Sequence, residues 1–128
     1  MTTETTTIQL PAAAIELQPG ERYAGPVLDA DGNVKHHLVL LPNRPKCDLN
    51  WQAAMDWATS IGGQLPDRQE QALLFANCKP HLQPDWHWSC QEREGASYAW
   101  LCNFYHGYQR YGHKSFEGPA AAVRRFVS

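Results

Sequence analysis

Residues 97–115 read SYAWLCNFYHGYQRYGHKS and carry six aromatic rings, with amide, His, Arg and Lys side chains between them. The first half, YAWLCNF, alternates with a period of two, which is typical of a β-strand. Successive side chains of a strand point to opposite faces, so one face would carry Tyr98, Trp100, Cys102 and Phe104. We expect this face to belong to the core, because large rings supply much of the packing in a small domain. The predicted core rings are Trp86, Trp88, Trp100 and Phe104.

The second half of the stretch, YHGYQRYGHK, has two glycines and no aliphatic residue, so it cannot all be interior. Tyr and Arg combine a large contact area with a hydrogen-bonding end, which favours them at interfaces. A loop of this composition on a rigid sheet is typical of a recognition surface. A solvated loop stabilised by a few Tyr side chains remains the alternative. The predicted ligand-binding residues are Tyr105, His106, Tyr108, Arg110, Tyr111, His113 and Lys114.

Two helices are predicted before this stretch. Asn50 is placed to cap the first, in which apolar residues recur at helical spacing until Gly62. Asp67 and Glu70 have the spacing of a capping box, which starts the second helix.

Strands are predicted on both sides of the helices. The runs ERYAGPVL (21–28) and KHHLVLLP (35–42) flank DADGN, and apolar runs around Asp-Gly indicate a hairpin. The run AAVRRFV (121–127) indicates a final strand. Strands, two helices and then short strands predict an α+β domain, with two helices packed on a twisted, mainly antiparallel sheet. Residues 16–128 are expected to form this single domain, preceded by a flexible arm over residues 1–15.

Two pairs of polar residues fall within predicted strands. Of His36 and His37, one ring should face inward and the other outward. One of Arg124 and Arg125 should point inward and pair with an acid such as Glu70 or Glu117, because an inward Arg needs a compensating partner.

Composition excludes several classes of function. The net charge of −2 provides no general basic field for nucleic acid, so no nucleic-acid partner is expected. No apolar run approaches the roughly 20 residues of a membrane helix, so no membrane insertion is expected. The N-terminal MTTETTTIQLP lacks the basic and hydrophobic regions of a signal peptide, which predicts synthesis in a cytoplasm without export.

Metal and catalytic sites are weakly indicated. Cys78, His81, His87 and Cys90 supply four zinc-ligand types within 13 residues, but the intervening loop is short for a tetrahedral site. Cys90 and Cys102 would resemble the cysteine pair of formylglycine-generating enzymes if they faced each other on adjacent strands. No phosphate loop or catalytic triad motif occurs. We therefore predict no metal, no cofactor and no enzymatic activity.

The chain from about residue 16 to 127 resembles a small domain family of unknown function that is common in prophages and bacteria. The resemblance rests on the order of WQAAMDWATSIGGQLPDRQEQALLFAN, WHWSCQE, the stretch at 97–115 and AVRRF, with the N-terminal hairpin in front. The family is related to the C-terminal domain of the Legionella collagen-like adhesin. The chain departs from the family pattern at Cys90 and Cys102.

This resemblance implies a C-type-lectin-like fold whose N- and C-terminal strands lie close together. Related domains bind through their C-terminal region, which favours the recognition reading of residues 105–114. The implied function is a non-enzymatic phage binding module, a virion-associated accessory or adhesion protein that holds a protein surface or a glycan. The alternative is an intracellular inhibitor of a host defence complex. Incorporation into the virion and self-association as a homo-oligomer stay open.

Overall fold

A computed structural model describes residues 5, 7, 12–94 and 97–127 of the chain. Within these residues the chain is α+β, as predicted. Its elements in order are β1 (Arg22–Leu28), β2 (Val34–Leu40), α1 (Trp51–Ser60), α2 (Arg68–Cys78), β3 (Trp86–Glu92), β4 (Tyr98–Asn103), β5 (Gln109–His113) and β6 (Val123–Phe126), with a 3-10 turn at Lys79–His81. The predicted arm at residues 1–15 lies mostly outside the described residues.

The first sheet joins the two ends of the chain, in the order β1-β2-β6. The predicted hairpin is confirmed: the Asp29 carboxylate accepts hydrogen bonds from the main-chain N–H groups of Asp31 and Asn33, at 2.9 and 3.0 Å. β6 pairs antiparallel with β2, so the N-terminal hairpin and the C-terminal strand lie side by side.

The second sheet has the order β3-β4-β5 and is also antiparallel. The prediction of one sheet was therefore wrong. The segment 64–66 lies between the two sheets: Gln64 exchanges main-chain hydrogen bonds with Val123 of β6, at 2.8 and 3.0 Å. The carbonyl oxygen of Pro66 accepts from Cys90 of β3, at 2.9 Å. Because this segment pairs with both edges, β6 and β3 do not pair directly.

Both helices begin as predicted. The Asn50 side chain accepts from the N–H of Ala53 at 2.9 Å, which caps α1. Asp67 and Glu70 form a reciprocal capping box at the start of α2, with distances of 2.8 and 2.9 Å.

Two clusters of buried side chains make up the core. One packs α2 against the first sheet and includes Val27, Leu38, Leu74, Cys102, Phe104 and Val123. The other surrounds α1 and the second sheet and includes Trp51, Ala54, Ala58, Trp88, Ala99 and Leu101.

The strand β4 buries different residues from those predicted. Trp88 and Phe104 are in the core as expected, but Trp86 and Trp100 are only partly buried and Tyr98 is 39% exposed. Helix α2 covers the Cys102 end of this face, and its first residue, Arg68, lies over the Trp100 ring. Tyr98 lies beyond the helix and stays in solvent. The opposite face of β4, with Ala99 and Leu101, is buried instead.

The polar residues of the first sheet are more buried than predicted. The His36 Nε2 atom lies 2.8 Å from a carboxylate oxygen of Glu70, and the His37 Nδ1 atom lies 2.7 Å from the Tyr23 hydroxyl. The two rings point to opposite faces of the sheet, as predicted, but both are buried, because the Tyr23 ring packs against the outward His37. A cavity beside His37 is lined by Tyr23 and by residues 13, 15 and 17.

The inward arginine of β6 has the predicted partner. Arg125 donates two hydrogen bonds to the fully buried Glu70 carboxylate, at 2.6 and 2.8 Å. Arg124 donates two hydrogen bonds to Glu21, at 2.9 and 3.0 Å.

Candidate functional site

The seven predicted site residues lie on the hairpin formed by β4 and β5. The prediction of one continuous loop over residues 105–114 was wrong, because the second half of the stretch is strand β5. Tyr, Gln and Arg suit an edge strand, whose backbone needs a partner on only one side. Tyr111 pairs with Trp100, and Arg110 pairs with Leu101. This register places Tyr111 and His113 on one face of the sheet and Arg110 on the other.

One face of the hairpin carries stacked rings and two arginines, which we call the ring face: Tyr98, Trp100, Tyr111, His113, Arg68 and Arg93. The Tyr111 ring contacts Tyr98 and Trp100 edge-on, with centroids 5.8 and 5.6 Å apart. The Arg68 guanidinium carbon lies 3.6 Å from the Trp100 ring centroid, and that of Arg93 lies 3.7 Å from the Tyr111 centroid. The guanidinium groups therefore cover ring faces that would otherwise contact solvent.

The opposite face has a cavity of about 310 Å³, which we call the Arg110 cavity. Its lining residues are Trp86, Leu101, Arg110, Tyr111, Gly112, His113 and Phe116. The Arg110 guanidinium carbon lies 4.4 Å from the Trp86 ring centroid, so the charge is held against an apolar wall. A Cβ atom at Gly112 would lie 2.8 Å from the Leu101 side chain, so a larger residue here would require the end of that side chain to shift.

The turn between β4 and β5 presents Tyr105, His106 and Tyr108. Tyr105 and Tyr108 are the most exposed tyrosines described, at 67 and 69%. The His106 and Tyr108 rings lie 4.1 Å apart, and His106 Nδ1 accepts from the N–H of Tyr108 at 3.1 Å. Gly107 has φ +82°, and a Cβ atom there would lie 2.8 Å from the Phe75 ring. The turn is thus packed closely on α2 while its tyrosines remain exposed.

Lys114 differs from the other predicted residues because its side chain is already engaged. Its Nζ atom lies 3.0 Å from the Glu92 carboxylate and 4.4 Å from the Trp51 ring centroid. Its main-chain N–H donates to Ser97, and its carbonyl accepts from Trp51. These contacts tie the end of β5 to α1.

The arginines of the two sheets are paired differently. In the first sheet, Arg124 and Arg125 each form an ion pair with a glutamate. In the second, Arg68, Arg93 and Arg110 are stacked on rings, and none has a carboxylate partner within the described residues. The Arg68 side chain donates one hydrogen bond, to Gln109 at 3.1 Å. The hairpin and the two arginines that pack on it, Arg68 of α2 and Arg93 after β3, therefore present three oriented guanidinium groups on a chain whose net charge is −2.

Sequence reasoning missed four residues of this surface. Trp86 and Trp100 were assigned to the core, and Arg68 and Arg93 were not considered. Alternation separates the two faces of β4 but does not tell which end of a face a helix covers. For Trp100, the sequence offered one signal: the predicted start of α2 places Arg68 in the first turn of the helix. Nothing in the sequence pattern placed Arg93, which follows β3, over Tyr111.

Three of the four thiols have raised pKa values, which disfavours the reactive thiolate at neutral pH. Burial raises the pKa of Cys78, Cys90 and Cys102, the last to about 11. Cys102 pairs in register with His87, so Cys90 and Cys102 do not face each other as the enzyme alternative required. The four zinc-ligand types considered above, Cys78, His81, His87 and Cys90, do not come together. The described residues contain no group of three or more His, Cys, Asp or Glu placed to hold a metal ion.

His87 is the most strongly perturbed of the described histidines. Its ring packs edge-on against Phe104, and Nδ1 donates to the carbonyl oxygen of Asp85 at 3.0 Å. Burial lowers the pKa of His87 from 6.5 to about 4. The folded protein therefore keeps this imidazole neutral at a pH where the unfolded chain protonates it.

This pKa shift predicts that stability falls as the pH is lowered from about 6.5 to 4, because the unfolded state then binds more protons. The loss attributable to His87 should reach about 3 kcal/mol at pH 4. Denaturant unfolding at a series of pH values measures it. The variant His87→Leu, which cannot titrate, should show a correspondingly flatter profile in this window. An equal pH dependence in both proteins would contradict the assignment.

The chain matches no protein-family model, and no curated protein is significantly similar to it. No helix in the described part of the chain has the length and hydropathy needed to cross a lipid bilayer.

Proposed function

We propose that this chain is a non-enzymatic binding module of phage or prophage origin, with a C-type-lectin-like fold, that holds an acidic protein surface through the β4–β5 hairpin. The observation that carries the proposal is the set of three arginines stacked on rings without carboxylate partners. The phage assignment and the fold family rest on the sequence resemblance, which the α+β architecture accommodates.

Stacking prepares these arginines for binding. A free Arg side chain loses conformational entropy when a partner immobilises it, whereas a guanidinium already held on a ring loses less. The planar group keeps its N–H donors at its rim, where a carboxylate can accept two hydrogen bonds. Arg, Tyr and Trp are also the residues that contribute most to protein interfaces.

A protein partner fits this surface better than a neutral glycan. Sugars stack on free aromatic faces, but the faces of Trp100 and Tyr111 are covered by Arg68 and Arg93. The exposed Tyr105 and Tyr108 add polar aromatic area, which is common in protein recognition. A binding role also agrees with the raised thiol pKa values, which disfavour catalysis by cysteine.

The proposal predicts that Arg93→Ala, Tyr108→Ala and Arg110→Ala leave stability within about 0.5 kcal/mol, or about 1 kcal/mol where a cation–π contact is lost. Each should weaken partner binding at least tenfold, as expected of central interface residues. The measurements are thermal unfolding and co-sedimentation of the labelled protein with purified phage particles. Arg22→Ala is the matched control, because Arg22 is exposed on β1 and forms no ion pair or ring contact within the described residues.

If the wild type and Arg22→Ala sediment with phage particles and the other three variants do not, the result supports the virion-associated role. Capture of a host defence complex from lysate with the same variant pattern, and no particle binding, would replace it by the inhibitor role. Binding that all four variants retain equally would contradict the proposed surface.

A further inference from the structure

The strand β5 forms an open edge of the second sheet. The sheet order places β4 on one side of β5 and no described strand on the other. The opposite edge of this sheet, at β3, is paired with the segment at Pro66. The open edge therefore faces away from the first sheet.

The register shows which main-chain groups point outward. Asn103 donates to the carbonyl oxygen of Tyr108, and Lys114 donates to that of Ser97. In an antiparallel ladder every second residue hydrogen-bonds to the neighbouring strand, so the main-chain N–H and C=O groups of Arg110 and Gly112 also point toward β4. The main-chain groups of Gln109, Tyr111 and His113 point to the open edge. No described residue hydrogen-bonds to the main chain of Tyr111, whereas the carbonyl oxygen of His113 accepts from Phe116.

This edge lacks several of the devices that usually block strand addition. Proteins protect edges with Pro, with charged side chains, above all Lys, or with a bulge. The only Arg or Lys in β5 is Arg110, and its guanidinium lies on the Trp86 ring. β5 contains neither Pro nor Lys, its pairing with β4 has no register shift, and Lys114 beyond its end is turned onto Trp51. Side chains of an added strand would alternate between the ring face and the face that contains the Arg110 cavity.

We propose that the partner contributes an extended acidic segment that pairs with β5, with a carboxylate on Arg110 and an apolar side chain in the Arg110 cavity. This inference rests on the proposed function and specifies how the partner is held. Arg110 and Arg93 lie on opposite faces of the hairpin, so acidic side chains at neighbouring positions of the added strand reach both.

Charge argues against a second copy of this chain as the occupant. Pairing of β5 with another β5 would bring two copies of Arg110 to the same face of one sheet, and like charges across strands are unfavourable. An acidic segment instead supplies the carboxylates that the stacked arginines lack.

A random linear dodecapeptide library displayed on phage and selected on the immobilised full chain tests the proposal. The enriched peptides should place Asp or Glu two positions from a large apolar residue, because both side chains lie on the face that contains the Arg110 cavity. A synthetic peptide of the enriched sequence should bind Arg110→Ala at least tenfold more weakly than wild type, and Arg22→Ala within twofold.

A second variant tests the backbone pairing separately. Replacing the Tyr111 amide by an ester removes the outward N–H and keeps the ring. It is accessible by ligating a synthetic segment that begins at Cys102. The ester protein should lose no more than about 1 kcal/mol of stability, because this N–H lies outside the β4 ladder and the Arg110 carbonyl, now part of the ester, stays as a weaker acceptor toward β4. It should bind the peptide at least fivefold more weakly.

The inference would be overturned if the selection enriched no acidic peptides. It would also be overturned if the protein bound an acidic polysaccharide but no peptide. Unchanged peptide affinity in the ester protein or in Arg110→Ala would overturn it as well. If Arg93→Ala and Tyr108→Ala still abolish particle or host binding while the ester protein binds fully, the proposed function stands and strand addition fails.

Discussion

Replacing Glu70 by alanine is expected to destabilise the fold by about 3–5 kcal/mol, the range for removing one partner of a buried ion pair. Glu70 is fully buried and accepts from Arg125, while His36 lies 2.8 Å away. Its side chain also closes the capping box of α2 through the N–H of Asp67. Alanine leaves these partners without a carboxylate and the helix start without its cap. Chemical denaturation at neutral pH measures the change.

Two further variants separate charge from shape. Glu70→Gln keeps the side-chain volume and an oxygen that can accept from the N–H of Asp67, so it should lose less stability than Glu70→Ala. The double variant Glu70→Ala/Arg125→Met should lose clearly less stability than the sum of the losses in the two single variants, because it leaves no unpaired cation. Additive costs would show that the two groups do not interact.

The pH response of this pair is distinct from that of His87. Burial alone would raise the pKa of Glu70, but hydrogen bonds from Arg125 and Asp67 hold it below its usual value. A carboxyl with a lowered pKa stabilises the fold above the unfolded pKa, and this contribution is lost as the pH falls below about 4.5. Acid should therefore act first through His87 and then through Glu70.

Trp88→Ala is expected to cost about 3–5 kcal/mol, the range for deletion of a fully buried large ring. Trp88 is 0% exposed, packs in the cluster around α1, and donates from its indole N–H to Leu49. The deletion removes apolar contacts and one of the two hydrogen bonds to the Leu49 carbonyl oxygen, which also accepts from the N–H of Gly118. Thermal and denaturant unfolding measure the loss.

Trp100→Ala is the comparison. The alternation of the sequence predicted that Trp100 belongs to the core, but the ring is partly exposed beneath Arg68. Its removal should cost about 1–2 kcal/mol, since less area is buried and one cation–π contact is lost. Equal costs for Trp88 and Trp100 would show that the ring face is part of the core.

Much of the fold could be predicted because its signals are local. The Asn50 cap, the Asp67–Glu70 capping box and the Asp-Gly turn depend on neighbouring residues alone, and all three formed as expected. The Arg125–Glu70 pair followed from the high energy of an unpaired inward Arg.

The errors concern which segments meet. Alternation in YAWLCNF predicted two faces, but the position of α2 leaves Tyr98 exposed and Trp100 only partly buried beneath Arg68. The polar composition of 105–114 suggested a loop, whereas pairing with β4 made half of it a strand. The separation into two sheets depended on segment 64–66 pairing with both edges, which no local pattern encodes.

The first sheet pairs β2 with β6, which lie at opposite ends of the domain sequence. During synthesis, β1 and β2 emerge well before β6, so the first sheet stays incomplete until β6 has been made, and closing so long a loop is slow. The nascent chain therefore exposes the β2 edge until β6 pairs with it.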